Sequence, residues 1–547
     1  MKIETGWVTP PVSIGGLDHL GTQAPCVLIY AQLLPGITNV TDRARYYSLY
    51  PWFIWSFDQR YPKDAEKFVE FFRRSDCLFT LISERHSRIT DHDNERHGAA
   101  MVGRVKLLQA LDRLEAGHPL TLSDYTAQNS KYRYFQNPMG GLGQYYAGSL
   151  SDLKLINGSD KPWFNYTEQY GAPLAKQLNS TVDADQFWAL VESGVVTLSD
   201  LDNLSGFCAC RLPESIDECN TLTDLYFDRK KLFNQVGVQR SKSLGLILNL
   251  VNSLENIDLS ESVFRACTYS GSLPVQVQWD VPSSLRSTLD CWALYQRNNL
   301  LSIACQTVFA VALRELEPQN SSSKVIYQSV ESFAEYFSNG PVIIAVTDKI
   351  GVKSLGDLVD SLVSLAPSVN AWDNENHEIQ IAERMLTAWD HGKDSTIIFE
   401  LLISVLALLA CRDVPQKNPY GGLYMPLEAL EDYPINLVSF QARVKEWKKM
   451  SIPKFVEDLV TWCLNTHLKV ALRKLRYTGR STFHLRPTER GMEVIDKIPP
   501  PANTRPRFRQ SVQILRDIGV LTRDNSKLSR PTILSINGKI LMETASA

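Results

Sequence analysis

Residues 33–57 read LLPGITNVTDRARYYSLYPWFIWSF. Seven aromatic side chains crowd the twelve positions from 46 to 57: Tyr46, Tyr47, Tyr50, Trp52, Phe53, Trp55 and Phe57. A run this aromatic cannot remain in water, so it predicts a buried spine on which other segments pack. Its apolar residues do not alternate cleanly, which argues against a strand. Thr41 or Asp42 is placed to cap a helix over residues 41–60, kinked at Pro51. Arg43 and Arg45 enter the same segment. In a buried helix they become partners of carboxylates; on an exposed aromatic platform they would instead meet phosphate while the rings stack on bases. Contiguous aromatics on one helix favour burial.

The segments around the spine are amphipathic. Residues 64–77 place Phe68, Val69, Phe71 and Phe72 on one helical face, and residues 99–116 repeat the pattern through Val102, Leu107, Leu111 and Leu114 before Gly117. The stretch YRYFQNPMGGLGQYYAGSL at 132–150 mixes aromatics with glycines and predicts a place where backbones approach closely. From 166 to 310 the periodicity is mostly helical, and its longest run spans 284–316. The polar EPQNSSS at 317–323 reads as a linker, and 341–346 as a short strand-like run. A helix is expected from Pro453 to about residue 477, and a strand at 482–485. These elements make the fold class mainly α (α+β overall): a multi-domain helical body with small β elements. The length of 547 residues allows about three to five domains. The segmentation follows as 1–165, 166–318, 324–440 and 441–547.

Charge is distributed unevenly. Residues 441–547 carry 21 lysines and arginines against 9 aspartates and glutamates, a net +12, which leaves −15 on residues 1–440. A basic end on an acidic body suits a polyanion or an acidic protein surface. After PPPAN at 499–503, the sequence RPRFRQSVQILRDIGVLTRDNSKLSRPTILSI predicts a helix to about residue 518, a glycine stop and a hairpin with a basic tip. That order resembles a winged-helix domain. Arg505, Arg507, Arg509, Arg516, Arg523, Lys527 and Arg530 are its expected DNA contacts. About five phosphate contacts would make log K fall by about 4–5 per decade of salt. Winged helices also dock proteins, which leaves an assembly role open.

Catalytic residue types concentrate once, in ERHSRITDHDNERHG. His86, Asp91, His92, Asp93 and His97, with Glu84 and Glu95 among them, offer ligands for a divalent ion that would hydrolyse phosphodiesters. Their spacing matches no metal motif, and a solvated loop has the same composition. Cys208, Cys210 and Cys219 are the nearest approach to a zinc set, yet no fourth ligand is close in sequence, and buried thiols are the simpler reading. GGLGQYYAG lacks the Lys-Ser/Thr of a phosphate-binding loop. No cofactor is expected. Ten scattered cysteines and the absence of a secretory pattern at residues 1–16 suit a reducing cytoplasm. No run reaches the roughly 18–20 apolar residues of a membrane span, so no membrane partner is expected.

PGITNVTDRARYYSLYPW resembles a motif of bacterial families found in multigene anti-phage defence or mobile-element loci. The matching positions are Pro35, Gly36, Thr38, Thr41, Arg43, Ala44, Arg45, Tyr46, Pro51 and Trp52. The resemblance covers about 60 residues and implies a setting, a subunit among other protein subunits, without a reaction. The expected function is a DNA-binding or scaffold subunit with no chemistry of its own. The alternatives are a metal-dependent nuclease using residues 84–97 and a pure assembly subunit.

Overall fold

The computed structural model describes residues 18–62, 64–90, 101–158, 164–255, 257–317, 327–412, 420, 423–489, 491–524, 526–527 and 529–546. It is 64% helical and 5% strand, a mainly α protein with small β elements. Two compact units form, each from segments far apart in sequence. One comprises Met1–Tyr30, Ser262–Asp280 and Arg286–Arg505. The other comprises Ala31–Glu261, Val281–Leu285 and Pro506–Ala547.

The aromatic run belongs to the second of these. It forms the helix Tyr46–Arg60, with Pro51 inside it. Tyr46, Tyr47, Tyr50, Trp52, Phe53 and Phe57 are buried, and Trp55 is half-buried. The helix starts later than expected because the two candidate caps are engaged elsewhere. Thr41 Oγ1 accepts from the Thr38 amide at 2.8 Å, closing a turn. Asp42 accepts from Gln510 Nε2 at 2.9 Å. Arg43 and Arg45 are 1% exposed and lie against buried carboxylates: Arg43 Nε is 3.1 Å from Asp517, and Arg45 Nε is 3.1 Å from Glu218. The platform alternative therefore fails for the six buried rings, since a ring without accessible surface cannot stack on a base.

The helix Ala65–Thr90 supplies a polar anchor for the spine. Asp76, 2% exposed, accepts from Tyr50 Oη at 3.0 Å, Tyr134 Oη at 2.9 Å and the Gly141 amide at 2.9 Å. Burial raises its pKa, and these three donors oppose that rise. The glycine-rich stretch does bring backbones together. A Cβ on Gly141 would lie 2.5 Å from Tyr50 Oη and 2.6 Å from a Val102 methyl. Gly141→Ala should therefore destabilise the protein by about 1–3 kcal/mol, the usual cost of overpacking a core. Urea unfolding checks this, and a change within 0.5 kcal/mol would mean that the neighbours yield freely. The segment that follows, Leu142–Tyr146, is a turn of π-helix.

In the other unit the apolar helix Ser395–Cys411 is the centre. Glu378–Asp390, Pro341–Ile350 and Leu355–Leu365 pack around it. Residues 341–346 are thus helical where a strand-like run was expected. Pro341 occupies the first turn, where its missing N–H costs nothing, and Gly351 closes the helix at φ +72°. Ile343 and Val346 point inward at helical spacing, a period that six apolar residues cannot reveal. The strand expected at 482–485 lies further along, at Leu485–Thr488, paired with Gly491–Val494; residues 482–484 are not strand. The 34-residue helix Ser283–Leu316 is long and apolar enough to cross a membrane by length and composition, contrary to the reading above. Of its most apolar window, 78% is buried inside the protein.

Candidate nucleic-acid interface

The basic module at the C-terminus has the expected order of elements. The helix Phe508–Asp517 leads through Gly519, at φ +69°, into a hairpin pairing Leu521–Arg523 with Thr532–Leu534. A further helix, Ile536–Ser546, packs on Asn234–Ser253. Sequence reading did not anticipate it.

The helix Phe508–Asp517 is largely buried. Phe508, Val512, Ile514 and Leu515 form its apolar side, while Gln510, Ser511 and Asp517 are buried polar residues. Gln510 Nε2 also donates to the Asn39 carbonyl, at 3.1 Å, and the Ala44 amide donates to Asp517 at 2.9 Å. A helix committed in this way to the aromatic spine cannot also fill a major groove.

The seven expected DNA contacts divide accordingly. Arg507 Nη1 donates to the Leu34 carbonyl at 2.8 Å. Arg516 Nη2 donates to Thr532 Oγ1 at 2.9 Å. Arg523 Nη1 donates to Asp258 at 2.9 Å and to the Arg530 carbonyl at 3.0 Å. These three are half-buried; Arg507 and Arg523 tie the module to the rest of its unit, and Arg516 ties the helix to the hairpin. Arg509, Lys527 and Arg530 are exposed in the same unit, and Arg505 is exposed at the end of the other. Lys527 lies 3.7 Å from Asp524 across the hairpin tip. Of the seven, the accessible cations in this unit are Arg509 at the helix start and Lys527 and Arg530 at the hairpin tip.

Of the expected metal cluster, Asp91, His92, Asp93, Glu95 and His97 lie outside the described residues. Glu84 is buried against Arg104 Nε at 2.5 Å. His86 turns instead toward two thiols distant in sequence. Its Nδ1 is 3.4 Å from Cys210 Sγ, and Cys208 completes a set whose ligand atoms all lie within 4.8 Å of one another. Cys219 is not among them; its Sγ donates to the Ile518 carbonyl at 3.0 Å. The CxC spacing marked the two thiols, but no local signal pairs them with a histidine 122 residues upstream.

No protein-family model matches the chain, and neither does any curated protein or solved structure. Fold and surface together define a mainly helical protein of two compact units with a basic C-terminal end.

Proposed function

We propose that this chain is a DNA-binding scaffold subunit of a bacterial multi-protein defence or mobile-element system, with no reaction of its own. The observation that carries this reading is the charge asymmetry: +12 on residues 441–547 against −15 on the remainder. Arg509, Lys527 and Arg530 stay exposed at the end of that basic region. The N-terminal motif supplies the setting by resemblance. The contact is an electrostatic grip on the phosphate backbone, insensitive to base sequence, because the would-be recognition helix is buried.

A salt series on a fluorescent duplex tests this. The full chain should bind at low salt with a steep slope. The variant carrying Arg509→Ala, Lys527→Ala and Arg530→Ala should bind more weakly, with its slope reduced by about 3. Those three side chains are exposed, so the variant keeps the fold. Arg507, Arg516 and Arg523 are poor probes, since removing them breaks internal hydrogen bonds. Absence of binding at low salt overturns the reading and leaves a protein-docking subunit.

A further inference from the structure

We propose that His86, Cys208 and Cys210 form a binding site for one zinc ion, or a similar thiophilic d10 cation, inside the unit that contains the aromatic spine. This inference is independent of the DNA-binding proposal. The three side chains come from two separate parts of the chain. His86 lies near the end of the helix Ala65–Thr90. Cys208 sits between the two 3-10 turns Ser205–Phe207 and Ala209–Glu214, and Cys210 sits inside the second. All three are buried. The arrangement brings two soft sulfurs and one imidazole nitrogen together, the ligand set that zinc prefers over harder divalent ions.

The distances fit. Zinc–nitrogen and zinc–sulfur bonds of about 2.0 and 2.3 Å at a tetrahedral angle place the two ligand atoms about 3.5 Å apart. His86 Nδ1 and Cys210 Sγ are 3.4 Å apart. All three ligand atoms lie within 4.8 Å of one another, and small side-chain rotations bring them to the roughly 3.5–3.8 Å separations of a tetrahedral site. Three protein ligands leave the fourth position to water.

Arg211 places a cation beside the cluster. Its Nη2 lies 3.5 Å from His86 Nε2, and its Nη1 is 2.7 Å from Glu214. It also lines a cleft of 310 Å³ with Arg45, Ser205 and Ser215. On binding, the protons of Cys208 and Cys210 pass to solvent, and two S–Zn bonds and one N–Zn bond form. The His86 proton then resides on Nε2, so Arg211 gives up that contact and keeps Glu214. No electron is transferred. The ion would staple the end of a long helix to a segment over 120 residues away.

The test is metal analysis of the full chain purified under reducing conditions, followed by replacement with cobalt(II). The expected result is about one equivalent of zinc, and a thiolate-to-cobalt charge-transfer band after exchange. Cys208→Ser and Cys210→Ser should lose both signals, whereas Cys219→Ser keeps them. A folded wild-type chain that retains no zinc and gives no band with cobalt overturns the proposal. Full metal retention in the two cluster variants overturns it as well. Should either variant fail to fold, His86→Gln and the wild-type cobalt titration decide the matter, because the band reports sulfur ligation directly.

Discussion

Replacing Arg43 with methionine is expected to destabilise the protein by about 3–5 kcal/mol, the cost of leaving one member of a buried ion pair without its partner. Arg43 is 1% exposed and Asp517 is 5% exposed, with Arg43 Nε 3.1 Å from the carboxylate. No water can take over at either end. The same carboxylate accepts the Ala44 amide at 2.9 Å and Gln513 Nε2 at 2.9 Å. One aspartate thus holds the chain just before the aromatic helix to a segment 473 residues later. Asp517→Asn keeps an acceptor for Ala44 but removes the countercharge, so it should cost nearly as much as the arginine change. Combining Arg43→Met with Asp517→Asn removes both charges, and the double variant should cost less than the sum by about 1–3 kcal/mol. Urea unfolding of the three variants closes the cycle. Strict additivity would mean that the two charges do not recognise each other and that the aromatic contacts alone hold the segments.

The pair also shows where sequence reasoning stops. Burial of Arg43 and Arg45 against carboxylates was the favoured expectation from their place at the entry to the aromatic run. Which carboxylates they meet did not, because Glu218 and Asp517 are set by tertiary return of the chain, which no local periodicity encodes. The C-terminal helix and hairpin were legible from Pro506, Gly519 and the polar tip. Their burial was not, since an amphipathic helix shows the same stripe whether its other side faces solvent or a second partner. Phe508–Asp517 has such a stripe, yet Gln510, Ser511 and Asp517 on its polar side are buried as hydrogen-bonding residues. Three of the seven expected phosphate contacts were absorbed in the same way. His86 with Cys208 and Cys210 is the clearest case, a chemical set assembled wholly by the fold.

Lowering the pH from 7 to 5 should cost the unit containing His467 about 2 kcal/mol through that one residue. His467 lies on the helix Ile452–Thr478 and is fully buried. Its Nε2 accepts the His484 amide at 3.0 Å, and its Nδ1 faces the His19 carbonyl at 3.1 Å. A proton on Nε2 would point at an N–H, so the folded protein selects the neutral ring with its proton on Nδ1. Burial, chiefly, pushes its pKa down from 6.5 to about 4; the nearby His484 and Lys474 add to this, and the His19 carbonyl opposes it. The unfolded chain takes up this proton near pH 6.5, whereas the folded chain refuses it until about pH 4. The unfolded state therefore binds more protons throughout that window, and stability falls as pH falls. His19, lowered to about 3 by burial and by its histidine neighbours, acts in the same direction. Asp18, raised by burial, opposes them: its contribution favours the folded state at low pH and fades as pH rises. Comparison with His467→Asn removes this titration while Asp18 stays in both proteins; because His467 is one of the charges that lower His19, its loss also eases the His19 contribution. The variant should be less stable at pH 7, having lost the two hydrogen bonds, but its stability should decline less between pH 7 and 5 by about 2 kcal/mol. Equal declines in the two proteins would show that the ring at position 467 accepts its proton in the folded state, and that the His484 amide is not its fixed partner.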